Sequence, residues 1–407
     1  MKLIQYLLIV VIASMLFGCQ TEEPIVTDDT GYTEENVNHA VNANNRFAIE
    51  LYKNLPTEGN TFFSPYSITS AMVIAYEGAR EDTATEIQTV FDYAEENKRR
   101  PAFANIYNQL NAPDKGYKLH TANALWLQQD YLFFEKYVTT IEKYYGGSAQ
   151  NLDFAGETEQ SRLTINDWVE SKTNNKIKDL FAPGTIMPLT RLVITNAVYF
   201  KADWVKQFKK SSTHDEPFYI TPESKVTVDM MSRTKENEFN YAETEELQIL
   251  EMNYKGEETS MVVLLPKEHN IKDIEDQLSV EQLDLWLADL EERKIPVYFP
   301  KFTFTTKYTL NDYLKAMGME KAFDPAQSDF SGMTNYKELY ISLVIHQAYI
   351  DVYEEGTEAA AATGIAMVGT SMPMNEFRAN RPFMFFIMHK PTGMILFMGK
   401  VVDPSAE

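Results

Sequence analysis

The side chains able to carry chemistry in this 407-residue chain are few and scattered. Its one cysteine, Cys19, closes an apolar run from Leu3 to Leu16 that only Gln5, Tyr6 and Ser14 interrupt. The run is short for a membrane span, which needs about 20 apolar residues, and fits the core of a signal peptide instead. Leu16-Phe17-Gly18-Cys19 resembles a bacterial lipobox, where the thiol is acylated and everything before it is removed; the alternative is an ordinary secretory signal with a chance cysteine. Six histidines, His39, His120, His214, His269, His346 and His389, stand far apart at no metal-ligand spacing, so neither a metal nor a cofactor is expected. The GxSxG elbow, HExxH, the P-loop and the dinucleotide GxGxxG are all missing, so the expectation is not an enzyme.

Charge narrows the partners. A net charge of −22 opposes binding to phosphate backbones, and nucleic acid is not an expected partner. The one basic run, Lys98-Arg99-Arg100, reads as a solvated helix end. An exported chain without a second cysteine has no disulfide, so packing alone must hold it. Residues 1–18 are assigned to a lipoprotein signal peptide and 19–37 to a flexible acidic tether. Residues 38–407 form one body, because no linker, repeat or low-complexity block divides them. The expected location is the bacterial outer membrane, held by lipid at Cys19, with the cell surface as one possible face. Gln20-Thr21-Glu22-Glu23 resembles a surface-export tag.

The elements that would position any site follow from local pattern. Ser64-Pro65 reads as a helix N-cap followed by proline at the first helical position. Ile68, Ala71, Met72 and Ala75 then recur at helical spacing before Gly78. A second helix is expected over about Glu157–Ser171, with Leu163, Ile165, Trp168 and Val169 as its apolar stripe. Leu192–Phe200 and Met261–Leu265 read as strands covered on both faces. Val297–Phe304, Leu339–Val352, Phe383–His389 and Ile395–Val401 are further expected strands. Helical patterns fill the first half and strands the second, an α+β layout.

Several stretches in fixed order resemble the serpin family. They begin at Asn60-Thr-Phe-Phe-Ser-Pro-Tyr-Ser-Ile68 and continue through Asn166-Asp-Trp-Val-Glu-Ser-Lys-Thr-Asn-Asn-Lys-Ile177 and Thr195-Asn-Ala-Val-Tyr-Phe-Lys-Ala-Asp-Trp204. Ser260–Pro266, Val297–Phe302 and Asp329–Met333 follow, then Glu354-Glu-Gly-Thr-Glu-Ala-Ala-Ala-Ala-Thr363, Arg381–Phe386 and Leu396–Lys400. The resemblance implies a serpin fold of three β-sheets with eight or nine helices and an exposed reactive-centre loop at about 356–374. It also implies a shutter of Ser64, Ser67, Asn196 and His346 under the main sheet, and a breach of Trp204, Lys301 and Glu354 at its top. Hydroxyls, an amide and an imidazole suit a place where strands part, because they can exchange hydrogen-bond partners.

By the same resemblance the protein is a suicide protease inhibitor. The loop is cut as bait, traps the protease as a covalent acyl-enzyme and inserts into the main sheet. The expected partners are therefore target proteases, engaged by a monomer. A non-inhibitory serpin acting as a binding or chaperone-like protein is the alternative. The hinge, Glu354, Gly356, Thr357, Glu358, Ala359, Ala360, Ala361, Ala362 and Thr363, favours inhibition on physical grounds. With Thr357 inward, the strand period of two puts Ala359, Ala361, Thr363, Ile365 and Met367 on the buried face and sends Glu358 to solvent. The alanines favour helix locally, but barely one turn separates Gly356 from Thr363-Gly364, too short for a stable helix.

Two frames place the cut. Counting from Glu354 puts the reactive bond between Thr370 and Ser371; counting back from Phe377–Phe383 puts it between Ser371 and Met372. Met367 and Met372 are alternative bait residues. Thr370 after Val368-Gly369 suits elastase-like or subtilisin-like serine proteases, and papain-like cysteine proteases remain open. No Arg or Lys lies between Gly356 and Phe377, which argues against a trypsin-like target.

Overall fold

The computed structural model describes residues 26–56, 58–113, 115–235, 238–336, 339–357 and 376–406. Among them are nine α-helices and three sheets, the fold class expected. The main sheet has six strands in the order Phe302–Thr309, Ile341–Tyr353, Gly356–Thr357, Leu192–Asp203, Tyr117–Gln128 and Ser148–Leu152. A seven-stranded sheet packs behind it, centred on Met394–Val401, Phe383–His389 and Thr259–Pro266. A four-stranded sheet of Phe377–Arg378, Val297–Pro300, Lys225–Arg233 and Thr213–Tyr219 completes the set.

Leu192–Asp203 is the spine of the main sheet, and its burial on both faces explains its unbroken apolar pattern. Ile194, Val198 and Phe200 point into the larger core, where Phe200 meets Phe397 of the seven-stranded sheet at 5.7 Å. Val193 and Ala197 point the other way, into a second core under the helix Thr158–Lys172. Ile165 and Val169 bury there and Trp168 packs edge-on to Trp126, while Leu163 faces solvent. That helix thus covers the outer face of the main sheet and lies closest to Tyr117–Gln128.

Three expectations need correction. The tether does not extend to Val37. A helix already runs from Glu34 to Asn54, capped by the Thr33 side chain. Upstream, buried Thr27 donates its hydroxyl to the Ala104 carbonyl at 2.9 Å, and Lys143 pairs with Asp28. The basic run is not a solvated helix end. Arg99 and Arg100 each lie 2.7 Å from the buried carboxylate of Glu77, which also accepts from the Tyr145 hydroxyl. The helix Glu96–Asn111 needs those cations to neutralise a carboxylate buried on the helix Pro65–Gly78. Finally, Val297–Phe304 is two strands in two sheets, separated at Lys301. Phe299, Phe302 and Phe304 are all buried, so the inward period slips by one residue where Pro300 lacks an N–H to donate.

Candidate functional site

The helix Pro65–Gly78 starts as its sequence demands, with the Ser64 hydroxyl accepting from the Ser67 N–H at 3.1 Å. This cap sets both serines beneath the middle of the main sheet. Strand register does the rest: Asn196 lies level with His346 on one side and Asn123 on the other. The Ser64 backbone N–H donates to His346 Nε2 at 3.0 Å, which leaves Nδ1 to donate to Asn196 Oδ1. Asn196 Nδ2 in turn donates to Ser67 Oγ and Asn123 Oδ1, both at 2.7 Å. The Ser64 hydroxyl closes the cluster on the Leu396 carbonyl at 2.6 Å.

This arrangement accepts a neutral imidazole only. A second proton would sit on Nε2 and face the Ser64 N–H, donor against donor. Burial acts in the same direction and pushes His346 down to about 3. Ser64, Ser67, Asn196 and His346, which come from places up to 282 residues apart, are therefore brought together. Asn123 joins them, although no sequence motif singled it out. No local signal marks it, because the strand Tyr117–Gln128 carries other polar residues such as Lys118 and His120.

At the top of the sheet a second group assembles. The Trp204 indole donates to the Tyr353 carbonyl at 3.0 Å, and its backbone N–H donates to the Glu355 carbonyl at 2.8 Å. Glu354 is buried; its carboxylate accepts from the Thr213 hydroxyl at 2.8 Å and lies 3.5 Å from Lys301 Nζ. Lys301 also lies 3.5 Å from Asp229, so Trp204, Lys301 and Glu354 come together with two partners that the sequence did not indicate.

Between these two groups the sheet is split by a wedge. Lower down, Ile341–Tyr349 pairs directly and in parallel with Leu192–Tyr199. At the top, Gly356 and Thr357 lie between the two strands, antiparallel to both: Thr357 pairs with Val352 on one side and Ala202 on the other. Gly356 is required here, because a Cβ would fall 2.1 Å from the Ala202 carbonyl oxygen. Thr357 points inward, buried, with its hydroxyl 3.0 Å from that of Tyr254. Glu358–Thr363, Met367, Thr370, Ser371, Met372 and Cys19 lie outside the described residues. Among the described residues no group of three or more His, Cys, Asp or Glu side chains could hold a metal.

Known proteins resemble this chain in sequence and in fold. A family model described as "Serpin (serine protease inhibitor)" matches residues 42–404. A serpin-like protein of Methanosarcina acetivorans is 42% identical over 412 residues, covering 96% of each chain. Human leukocyte elastase inhibitor is 37% identical over 374 residues, covering 89% of this chain and 98% of its own. Uncleaved ovalbumin superposes with a TM-score of 0.81 at 30% identity, over 90% of this chain and 100% of that one.

Proposed function

This chain belongs to the serpin family, whose members generally inhibit proteases, and we propose that it is an inhibitory member acting by loop insertion. The observation that carries the proposal is the wedge. Gly356 and Thr357 already occupy the place between the two central strands where an inserting loop must go. Counting six residues on from the pairs Thr357–Ala202 and Thr357–Val352 puts Thr363 opposite Asn196 on one side and His346 on the other. In the inserted state a threonine hydroxyl thus arrives where the His346–Asn196 bond has been pulled apart. Neutral polar groups that can re-pair keep the cost of that separation low.

The mechanism follows. A protease nucleophile attacks the bait carbonyl and expels the amine of the next residue, leaving an acyl-enzyme. Insertion of Glu358 to Thr370 beyond Thr357 would carry the attached protease roughly 43 Å at about 3.3 Å per residue, before water completes the hydrolysis. The Thr370–Ser371 bond is the proposed cut, with an elastase-like or subtilisin-like serine protease as target; the name of the human elastase inhibitor is consistent with this class. The test is incubation with pancreatic elastase. An SDS-stable covalent band and a released peptide beginning at Ser371 are expected. Complete cleavage with no covalent band would refute inhibition of that protease class, and a peptide beginning at Met372 or Val368 would move the bait residue to Ser371 or Met367.

From the sequence alone we further propose that the protein is exported, anchored to the outer membrane through acylated Cys19, and acts as a monomer. Among the described residues no helix is long and apolar enough to cross a membrane. Metabolic labelling with palmitate should be lost in Cys19→Ala; retained label would refute the anchor.

A further inference from the structure

Tyr254 is absent from the residues that the sequence brought forward, yet it is the side chain that meets the wedge. It follows the strand Leu247–Asn253 of the seven-stranded sheet, and its ring is wholly buried. Trp204 stacks on it at 4.3 Å with an interplanar angle of 13°, and Phe200 meets it edge-on at 5.3 Å. An isolated bridge joins Trp204 to Tyr254, and the next backbone N–H, of Lys255, donates to the Asp203 carbonyl at 2.7 Å. These contacts leave the ring little freedom, so its hydroxyl is held at one point. That point is 3.0 Å from Thr357 Oγ1. Burial pushes the phenol well above its ordinary value, so the hydroxyl stays protonated and able to donate.

We propose that Tyr254 is a positioning residue for inhibition: its hydroxyl seats Thr357, the first side chain of the loop to enter the main sheet. This rests on the inhibitory reading above. Backbone pairing alone cannot choose the face on which Thr357 lies, because a slip of one residue keeps the ladder but turns the side chain outward. A buried hydroxyl waiting on the inner face removes that ambiguity. The loop then starts insertion in the register that keeps Glu358 in solvent and delivers Thr363 to the polar cluster. Loss of this contact leaves a buried hydroxyl unpaired and slows insertion against deacylation.

The test is a double-mutant cycle of Tyr254→Phe and Thr357→Val, read as loops cut and released without trapping per covalent complex formed with elastase. Each single variant should raise that ratio on the order of fivefold, as expected for one buried hydrogen bond. The double variant should be no worse than either single, while the rate of loop cleavage stays at the wild-type value. A ratio that is unchanged in Tyr254→Phe, or effects that multiply in the double variant, would overturn the role of Tyr254 and leave the inhibitory reading standing. Should the wild type form no complex, the cycle is read instead as the rate at which thermal stability rises after the loop is nicked. Coupled slowing there supports the seat, and uncoupled rates or no rise at all overturn it. If Tyr254→Phe does not fold, Thr357→Val with a wild-type ratio is sufficient to refute the proposal.

Discussion

Mild acid should loosen the centre of the main sheet through one residue. His346 has an ordinary value of 6.5 that burial brings to about 3, and its Nε2 is already committed to the Ser64 N–H. Because the folded value lies below the unfolded one, the unfolded chain takes up the proton first. The stabilisation is whole above pH 6.5 and falls as the pH drops toward 3. The slope in that window is about 1.4 kcal/mol per pH unit, so moving from pH 7.5 to 5.0 removes about 2 kcal/mol. His389, brought to about 4 chiefly by burial, contributes a parallel loss and must be held constant. The comparison is therefore wild type against His346→Gln, whose amide can also donate to Asn196 and accept from Ser64 but does not titrate. The first urea transition is measured at both pH values, within minutes, because the free form is expected to be a kinetic trap. Wild type should lose about 2 kcal/mol more than the variant. Curves that fall in parallel would show that His346 is not held neutral by the fold.

Three further outcomes follow from the wedge and its surroundings. Thr357→Arg would place an unpaired guanidinium against Tyr254 at a cost of about 3 kcal/mol or more, so the loop should be cut without a covalent band forming; full complex yield would sink the inward assignment. Glu354→Lys puts an ammonium opposite Lys301 and strips Thr213 of its acceptor, so mild heating should yield polymers as the loop of one molecule enters the sheet of another. Equal monomer lifetimes by light scattering would count against this. Cleavage in the loop should raise the melting temperature by roughly tens of degrees as the cut strand completes the main sheet, and an unchanged value after verified cleavage would mean the loop does not insert.

What the sequence determined by itself is what depends on neighbours along the chain. Ser64 caps the helix that Pro65 begins, three residues from the N–H it accepts, and that local geometry can be read from residue types. The unbroken apolar run at Leu192–Phe200 likewise announces a strand buried on both faces. The ordered motifs carried the family and the fold, and with them Ser67, Asn196, His346, Trp204, Lys301 and Glu354.

The tertiary structure alone decided the partners. Asn123, Thr213, Asp229 and Tyr254 reach the site only because strands distant in sequence take one register, and no local pattern specifies a register. Arg99 and Arg100 look like solvated charges until Glu77 is found buried beneath them. Phe299 to Phe302 looks like one strand until the inward period slips and the chain passes into another sheet. Thr357 shows the contrast most directly. Strand period allowed it to face inward, but only the packing of Trp204 on Tyr254 supplies a buried hydroxyl there, since a hydrogen bond between residues 103 positions apart exists only once the sheets have closed around it.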